Sequence, residues 1–237
     1  MQTTIILVHG AFAESSSWHG VTARLTPDHR VVAYANPLRG IASDAAGLSE
    51  LVRSIDGPVV LVGHSYGGAV ITALSPDVGD IVGLVYVAAF ALDTGESPGA
   101  AASMVPGSSL GETLSPVPLS AGGTDLYITQ DKYHGQFCAD LPAEQARLLA
   151  VTQRPIAEAA LSEELIGEPL WKAVPSWFVF GDGDLNIPAG AHQIMADRAG
   201  AVRTVEIPGA SHVVGVSRPG PTADLVLEAA HASQRVG

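Results

Sequence analysis

Residues 61–70 read LVGHSYGGAV: an apolar run ends at His64, Ser65 sits between Gly63 and Gly67, and a second apolar run follows. The first run, from Pro58 to His64, does not alternate, which suits a strand buried on both faces of a parallel sheet. The second, GGAVITAL, is apolar nearly all round and reads as a buried helix. Ser65 is thereby left on a very sharp strand-to-helix turn. Side chains two positions before and two after would collide across such a turn, so glycine is required at both places, and Gly63 and Gly67 occupy them. The turn aims the hydroxyl at the helix N-terminus, where unpaired N–H groups favour developing negative charge. A plain turn with an N-capping serine has the same local pattern. The rest of the chain has to decide between them.

Outward from this stretch, strands and helices alternate. TTIILVH (Thr3 to His9), RVVAY (30–34), IVGLVYVAA (81–89), SWFVFG (176–181) and VRTVEI (202–207) read as further strands. Helical periodicity covers about Ser17 to Leu25, Ala42 to Ile55, Ala189 to Ala199 and Pro221 to Ala232. The order predicts an α/β fold with a mostly parallel sheet and helices on both faces. It is broken once, between about Asp93 and Val174, so residues 1–93 and 175–237 are expected to form the core and 94–174 a cap over it. The first part of the interruption, ESPGAAASMVPGSSLGETLSPVPLSAGG, is expected to be irregular. The second, LPAEQARLLAVTQRPIAEAALSEEL, predicts two helical segments that separate near Pro155, the first opening at Pro142.

A serine hydroxyl is a weak nucleophile and needs a base and an orienting carboxylate, which in a G-x-S-x-G elbow follow in the order Ser, Asp, His. FGDGDLNIP follows the strand at 176–181 and PGASHVVGV follows that at 202–207. Both lie at the C-terminal strand ends, the edge where open α/β sheets bind ligands and where Ser65 also falls. Of the histidines, His212 alone combines a post-strand loop, small neighbours and a position after the acid. His64 is expected to point away from the serine, and His19, His29, His134, His192 and His231 to have surface or structural roles. For the carboxylate, Asp184 is preferred to Asp182 because it lies four residues before Pro188, which opens the next helix. Asp93, after the strand at 81–89, is the third candidate. An oxyanion hole needs two N–H donors. Tyr66, next to the serine, would supply one, and Ala11, freed by the turn at Gly10 in HGAF (9–12), the other.

Composition removes several classes. The 237 residues carry a formal net charge of −12, which repels phosphate backbones and anionic lipid, and the 12 basic residues are scattered, so neither nucleic acid nor membrane is an expected partner. The apolar run Ile5 to Val8 is too short for a signal-peptide core or a membrane span, so a soluble cytoplasmic protein is expected. One cysteine, Cys138, excludes an internal disulfide and a cysteine metal cluster, and it reads as a small apolar filler.

VLVGHSYGGAV, the HGA turn, G-x-x-D at 181–184 and SH at 211–212 together resemble the α/β-hydrolase superfamily across essentially the whole chain. The spacing from HGA to Trp18, the NPLRG turn and a compact helical cap are similar to small bacterial esterase-like members related to plant methylesterases and hydroxynitrile lyases. That resemblance implies an α/β-hydrolase fold, Ser65 as nucleophile, His212 as general base, Asp184 as its orienting acid, and Ala11 and Tyr66 as oxyanion donors. It implies no cofactor or metal, and a neutral or apolar small-molecule acyl substrate. The start of the cap has no motif that aligns, so the family's substrate contacts do not carry over. Two other readings stay open: a triad-based lyase, which would need Lys132 or Lys172 in the crevice, and a ligand-binding protein on the same scaffold. Tyr127, Tyr133, Phe137 and Trp171 are candidates for lining an apolar pocket or packing the cap.

Overall fold

The computed structural model describes residues 2–232. The chain begins β1 (Thr4–Val8), α1 (His19–Leu25), β2 (Arg30–Tyr34), α2 (Ile41–Arg53), β3 (Val59–His64), α3 (Tyr66–Thr72) and β4 (Ile81–Val87). It continues with α4 (Pro98–Ala102), β5 (Leu114–Pro118), β6 (Thr124–Ile128), α5 (Gln130–Phe137), α6 (Ala143–Thr152), β7 (Ile156–Ala157) and α7 (Glu158–Ser162). It closes with β8 (Ser176–Gly181), α8 (Ala189–Arg198), β9 (Arg203–Ile207), α9 (Val214–Ser217) and α10 (Pro219–Ala232).

Six strands form one sheet in the order β2-β1-β3-β4-β8-β9, every neighbouring pair parallel. Because successive side chains of a strand point to opposite faces, the inner strands feed two cores. Ile6, Val8, Leu61, Tyr86 and Phe178 pack with residues of α2, α3 and α8. Ile5, Leu7, Val62, Val85 and Trp177 pack with residues of α1 and α10. This accounts for the unbroken apolar character of β3, all six residues of which are buried, as are all seven of α3. No helix among the described residues is long and apolar enough to cross a membrane.

Parallel strands place all their C-terminal ends on one edge. In register, Val8 stands beside Gly63, His64 beside Val87, and Gly181 beside Ile207, so the loops that follow β1, β3, β8 and β9 emerge together. The chain leaves β1 for β2 on one side and later places β3 on its other side, which opens a crevice at the point where strand order reverses.

The segment between β4 and β8 differs from expectation. It is not a purely helical cap with an irregular beginning: β5, β6 and β7 form an antiparallel sheet with β6 in the middle. Pro116 and Pro118 lie on β5, an edge strand, where a missing N–H costs no ladder bond. Gly122 and Gly123, at φ +96° and +86°, make the turn into β6. The expected helices after Pro142 and Pro155 are present as α6 and α7, with β7 between them.

This segment is tied to the rest of the molecule by specific bonds. Arg39 pairs with Asp125 at 2.6 Å, and the Glu163 carboxylate accepts the amides of Ile41 and Ala42 at 2.7 and 3.0 Å, capping α2. Trp171 is spent on the Leu92 carbonyl, to which its indole N–H donates at 2.9 Å.

Candidate active site

Ser65 has φ 53° and ψ −123°, a left-handed conformation rare for a residue with a side chain. Such a geometry costs about 1 to 3 kcal/mol and persists only where its surroundings over-determine it. Here the Ser65 amide donates to Ala88 at 3.1 Å, and its carbonyl accepts from Gly68 at 2.9 Å and Phe90 at 3.2 Å. The flanking glycines are sterically required. A Cβ on Gly63 would lie 2.7 Å from the Gly67 carbonyl carbon, and one on Gly67 would lie 2.4 Å from the Val8 carbonyl oxygen. Gly10 is equally confined, since a Cβ there would meet the Ser65 Cβ at 2.6 Å. Ser65 itself is 7% exposed, so the hydroxyl faces an enclosed space and not open solvent.

The loops after β8 and β9 bring the two expected partners to it. His212 Nε2 lies 2.9 Å from Ser65 Oγ, and His212 Nδ1 lies 2.7 Å from Asp184 Oδ2. Asp184 Oδ1 accepts the backbone amides of Asn186 and Ile187 at 2.8 and 2.9 Å, a tight turn that sets the carboxylate just ahead of α8. Burial alone would raise the Asp184 pKa. The adjacent imidazoles and their hydrogen bonds outweigh it and hold the carboxyl below the usual carboxylate range. An ionised Oδ2 requires a proton on His212 Nδ1, which leaves Nε2 as an acceptor for the serine hydroxyl.

His192, expected to have a surface or structural role, belongs to this cluster, and His64 borders it. His192, one turn into α8, has Nε2 3.1 Å from the same Asp184 Oδ2, and its ring stacks on Phe180 at 4.8 Å and 17°. His64 does turn away from the serine, but it packs beside His212 with ring centroids 4.9 Å apart, and its Nε2 lies 3.1 Å from the His212 carbonyl. Burial, reinforced by His212, lowers the His64 pKa to about 3, so it is a neutral donor to that carbonyl.

The remaining candidates are placed elsewhere. Asp182 accepts the Gly209 amide at 2.6 Å, and Asp93 pairs with Lys172 at 3.1 Å. Lys132 donates to the Glu112 carbonyl at 2.8 Å, so both lysines are engaged with groups away from Ser65. His134 bonds to the Leu141 carbonyl and His29 packs against His231, while His19 opens α1. Cys138 is buried, and burial together with nearby Asp140 pushes its thiol up to about 12. Among the described residues no group of histidine, cysteine and acidic side chains is arranged to hold a metal ion.

Ala11 and Tyr66 line the same pocket as Ser65. Tyr66 opens α3, where N–H groups lack intrahelical acceptors, and its hydroxyl is turned away to Asp44 at 3.0 Å. The Ala11 amide has no acceptor among the described residues. The next residue, Phe12, sits at φ 57° and is held on both sides by the segment between β4 and β8. Its amide donates to Arg154 at 3.0 Å, and its carbonyl accepts the Tyr133 hydroxyl at 2.7 Å.

Ser65, Ala11 and Tyr66 open into a pocket whose walls include Phe90, Leu110, Phe137 and Ile187. Its lining is almost entirely apolar, with Asn186 the additional polar residue. A second, narrow cavity lies behind Phe12 and Phe137, against Trp18 and Tyr133. Of the four aromatic candidates, Tyr133 and Phe137 therefore line cavities.

Comparison with known proteins is consistent with this architecture. The family model described as "Alpha/beta hydrolase family" matches residues 5–225. No curated protein gives a match. Among solved structures, polyneuridine aldehyde esterase superposes with a TM-score of 0.79 at 21% identity, over 96% of this chain and 99% of that one. A pyrethroid hydrolase from Sphingobium faniae JZ-2 gives 0.75 at 19% identity, over 98% and 99%. The methylesterase MES16 from Arabidopsis gives 0.79 at 17% identity, over 97% and 99%.

Proposed function

The chain belongs to the alpha/beta hydrolase family, and on that footing we propose that it is a cofactor-free serine hydrolase of a carboxylic ester, lactone or thioester. The observation that carries this reading is the unbroken hydrogen-bonded chain from Ser65 through His212 to Asp184. Ser65 Oγ attacks the substrate carbonyl while His212 Nε2 takes its proton, and Asp184 stabilises the imidazolium without becoming protonated. Negative charge on the carbonyl oxygen falls between the Ala11 and Tyr66 amides, which need no reorganisation to receive it. His212 then returns the proton to the leaving oxygen or sulfur, an acyl group stays on Ser65, and water activated by the same imidazole releases it.

Residues 94–174 act in this account as a cap that closes the crevice and holds the loop carrying Ala11. The apolar pocket beside Ser65 suits a neutral acyl compound. The esterase, pyrethroid hydrolase and methylesterase named for three similar structures support an ester as the substrate bond. A lyase that depends on a cap lysine is disfavoured, because Lys132 and Lys172 are spent on Glu112, Asp93 and Glu168.

The test is Ser65→Ala assayed against esters of graded acyl length. Turnover should fall on the order of 10⁴-fold or more, since little remains once the nucleophile is gone. Near wild-type turnover in that variant would end the assignment.

A further inference from the structure

Asp184 Oδ2 faces two imidazoles and not one: His212 Nδ1 at 2.7 Å and His192 Nε2 at 3.1 Å. Both histidines are 1% exposed, so water does not compete for either contact. With the two amides on Oδ1, the carboxylate accepts four hydrogen bonds, and its orientation is set from the loop, from α8 and from the loop after β9. We infer that His192 is a positioning residue for the triad, a donor that fixes Asp184 Oδ2 and draws off part of the charge it presents to His212. This rests on the function proposed above, and it extends that function to a group outside the triad.

The surroundings of His192 define its state. The titratable groups around it are Asp184 from the loop after β8 and His212 from the loop after β9, while Phe180 of β8 covers one ring face and the Ala89 backbone adds a polar contact. Burial lowers its pKa and His212 adds to that, while Asp184 and a hydrogen bond to the Ala89 backbone oppose both. His192 Nε2 therefore carries a proton, because the atom opposite is an ionised oxygen that can only accept. Around His212 stand Ser65, Asp184, His64 and His192.

The sign of the effect follows. Charge on Oδ2 favours the imidazolium form of His212, and a second donor on that oxygen weakens the preference. Removing the donor should therefore raise the His212 pKa and move the acid limb of kcat/KM to higher pH. It should also let the carboxylate swing, which lowers kcat more than it changes KM. A group that merely filled space would affect folding or rate without moving the midpoint.

Two variants separate these cases. His192→Phe keeps an aromatic ring to stack on Phe180 and removes the donor. His192→Gln keeps an N–H donor within reach of Oδ2. The His212 imidazole is titrated by NMR in each protein, with its resonance assigned by loss in His212→Gln, and kcat and KM are measured across pH. In His192→Phe the midpoint should move to higher pH, and kcat should drop by about tenfold, the scale of one hydrogen bond to a charged group. His192→Gln should return both towards wild type. An unchanged His212 pKa in folded His192→Phe overturns the inference, as does an equal loss of kcat in both variants with no shift in midpoint. Should His192→Phe fail to fold, His192→Asn, whose shorter amide falls away from Oδ2, takes its place with the same two outcomes. The NMR titration needs no turnover, so a failure of this inference is distinguishable from a failure of the serine mechanism itself.

Discussion

The Tyr133 hydroxyl donates to the Phe12 carbonyl at 2.7 Å, joining α5 to the loop that carries the Ala11 amide. Phe12 holds a left-handed conformation with both its backbone groups bonded to Tyr133 and Arg154, so the loop proposed to supply an oxyanion donor is shaped by a distant stretch of chain. Tyr133→Phe removes that bond and little volume. We expect kcat to fall by up to about tenfold with KM nearly unchanged, because an amide aimed at the transition state is loosened while the pocket is kept. Steady-state kinetics on a chromogenic ester decide it, and an unaltered kcat would mean that the loop holds its shape without that bond.

Among the three acidic candidates, only Asp184 touches His212. Asp184→Asn should lower kcat on the order of 10⁴-fold, because an amide at Oδ2 favours the wrong imidazole tautomer. Asp182→Asn and Asp93→Asn should stay within a few-fold of wild type by comparison. A dead Asp93 variant would move the acid to the loop after β4.

Much of this arrangement was legible in the sequence because its determinants are local. Gly63, Ser65 and Gly67 state a sharp turn by themselves, and the loops after β8 and β9 could be placed because parallel strands share one edge. Pro188, four residues past Asp184, also separated it from Asp182. His192 was not legible in the same way: its contact reaches from a helix back to a loop, and an isolated histidine in a helical pattern gives no direction. The hairpin of β5 and β6 was hidden by Pro116, Pro118, Gly122 and Gly123, residues typical of irregular chain that an edge strand and its turn also accept. Its one periodic trace was in β6, where Leu126 and Ile128 are buried while Asp125 and Tyr127 are partly exposed.

Stability should depend on pH well above the carboxylate range. Burial lowers the pKa of His64 to about 3 and of His9 to about 4, from an ordinary 6.5. Between about 6.5 and 4 the unfolded chain binds protons that these two sites refuse, so stability is lost as pH falls through that window. Asp184, with its pKa depressed in the folded state, adds loss only at lower pH. Thermal unfolding followed from pH 7.5 to 4.5 should show Tm declining from about pH 6.5 downward. A flat Tm to pH 5 would contradict the neutral, buried state of both histidines.

The elbow should tolerate no added methyl. Gly67→Ala drives a Cβ from α3 into the Val8 carbonyl oxygen at the end of β1 and should cost about 1 to 3 kcal/mol or more. Gly135→Ala is the control: it lies in α5 with nothing within 4 Å of the new Cβ and should stabilise by roughly 0.5 kcal/mol. Urea midpoints compare the two, and equal midpoints would mean that the crowding at Gly67 is relieved by movement of β1.

The most direct measurement of the central claim is covalent labelling by a fluorophosphonate, with the adduct located by mass spectrometry of the digested protein. The reagent requires a serine activated by a neutral imidazole. One adduct per chain should appear on Ser65, be absent in Ser65→Ala and His212→Ala, and be unaffected by EDTA. No adduct on the folded wild-type protein, or an adduct on another residue together with an active Ser65→Ala variant, would contradict the account.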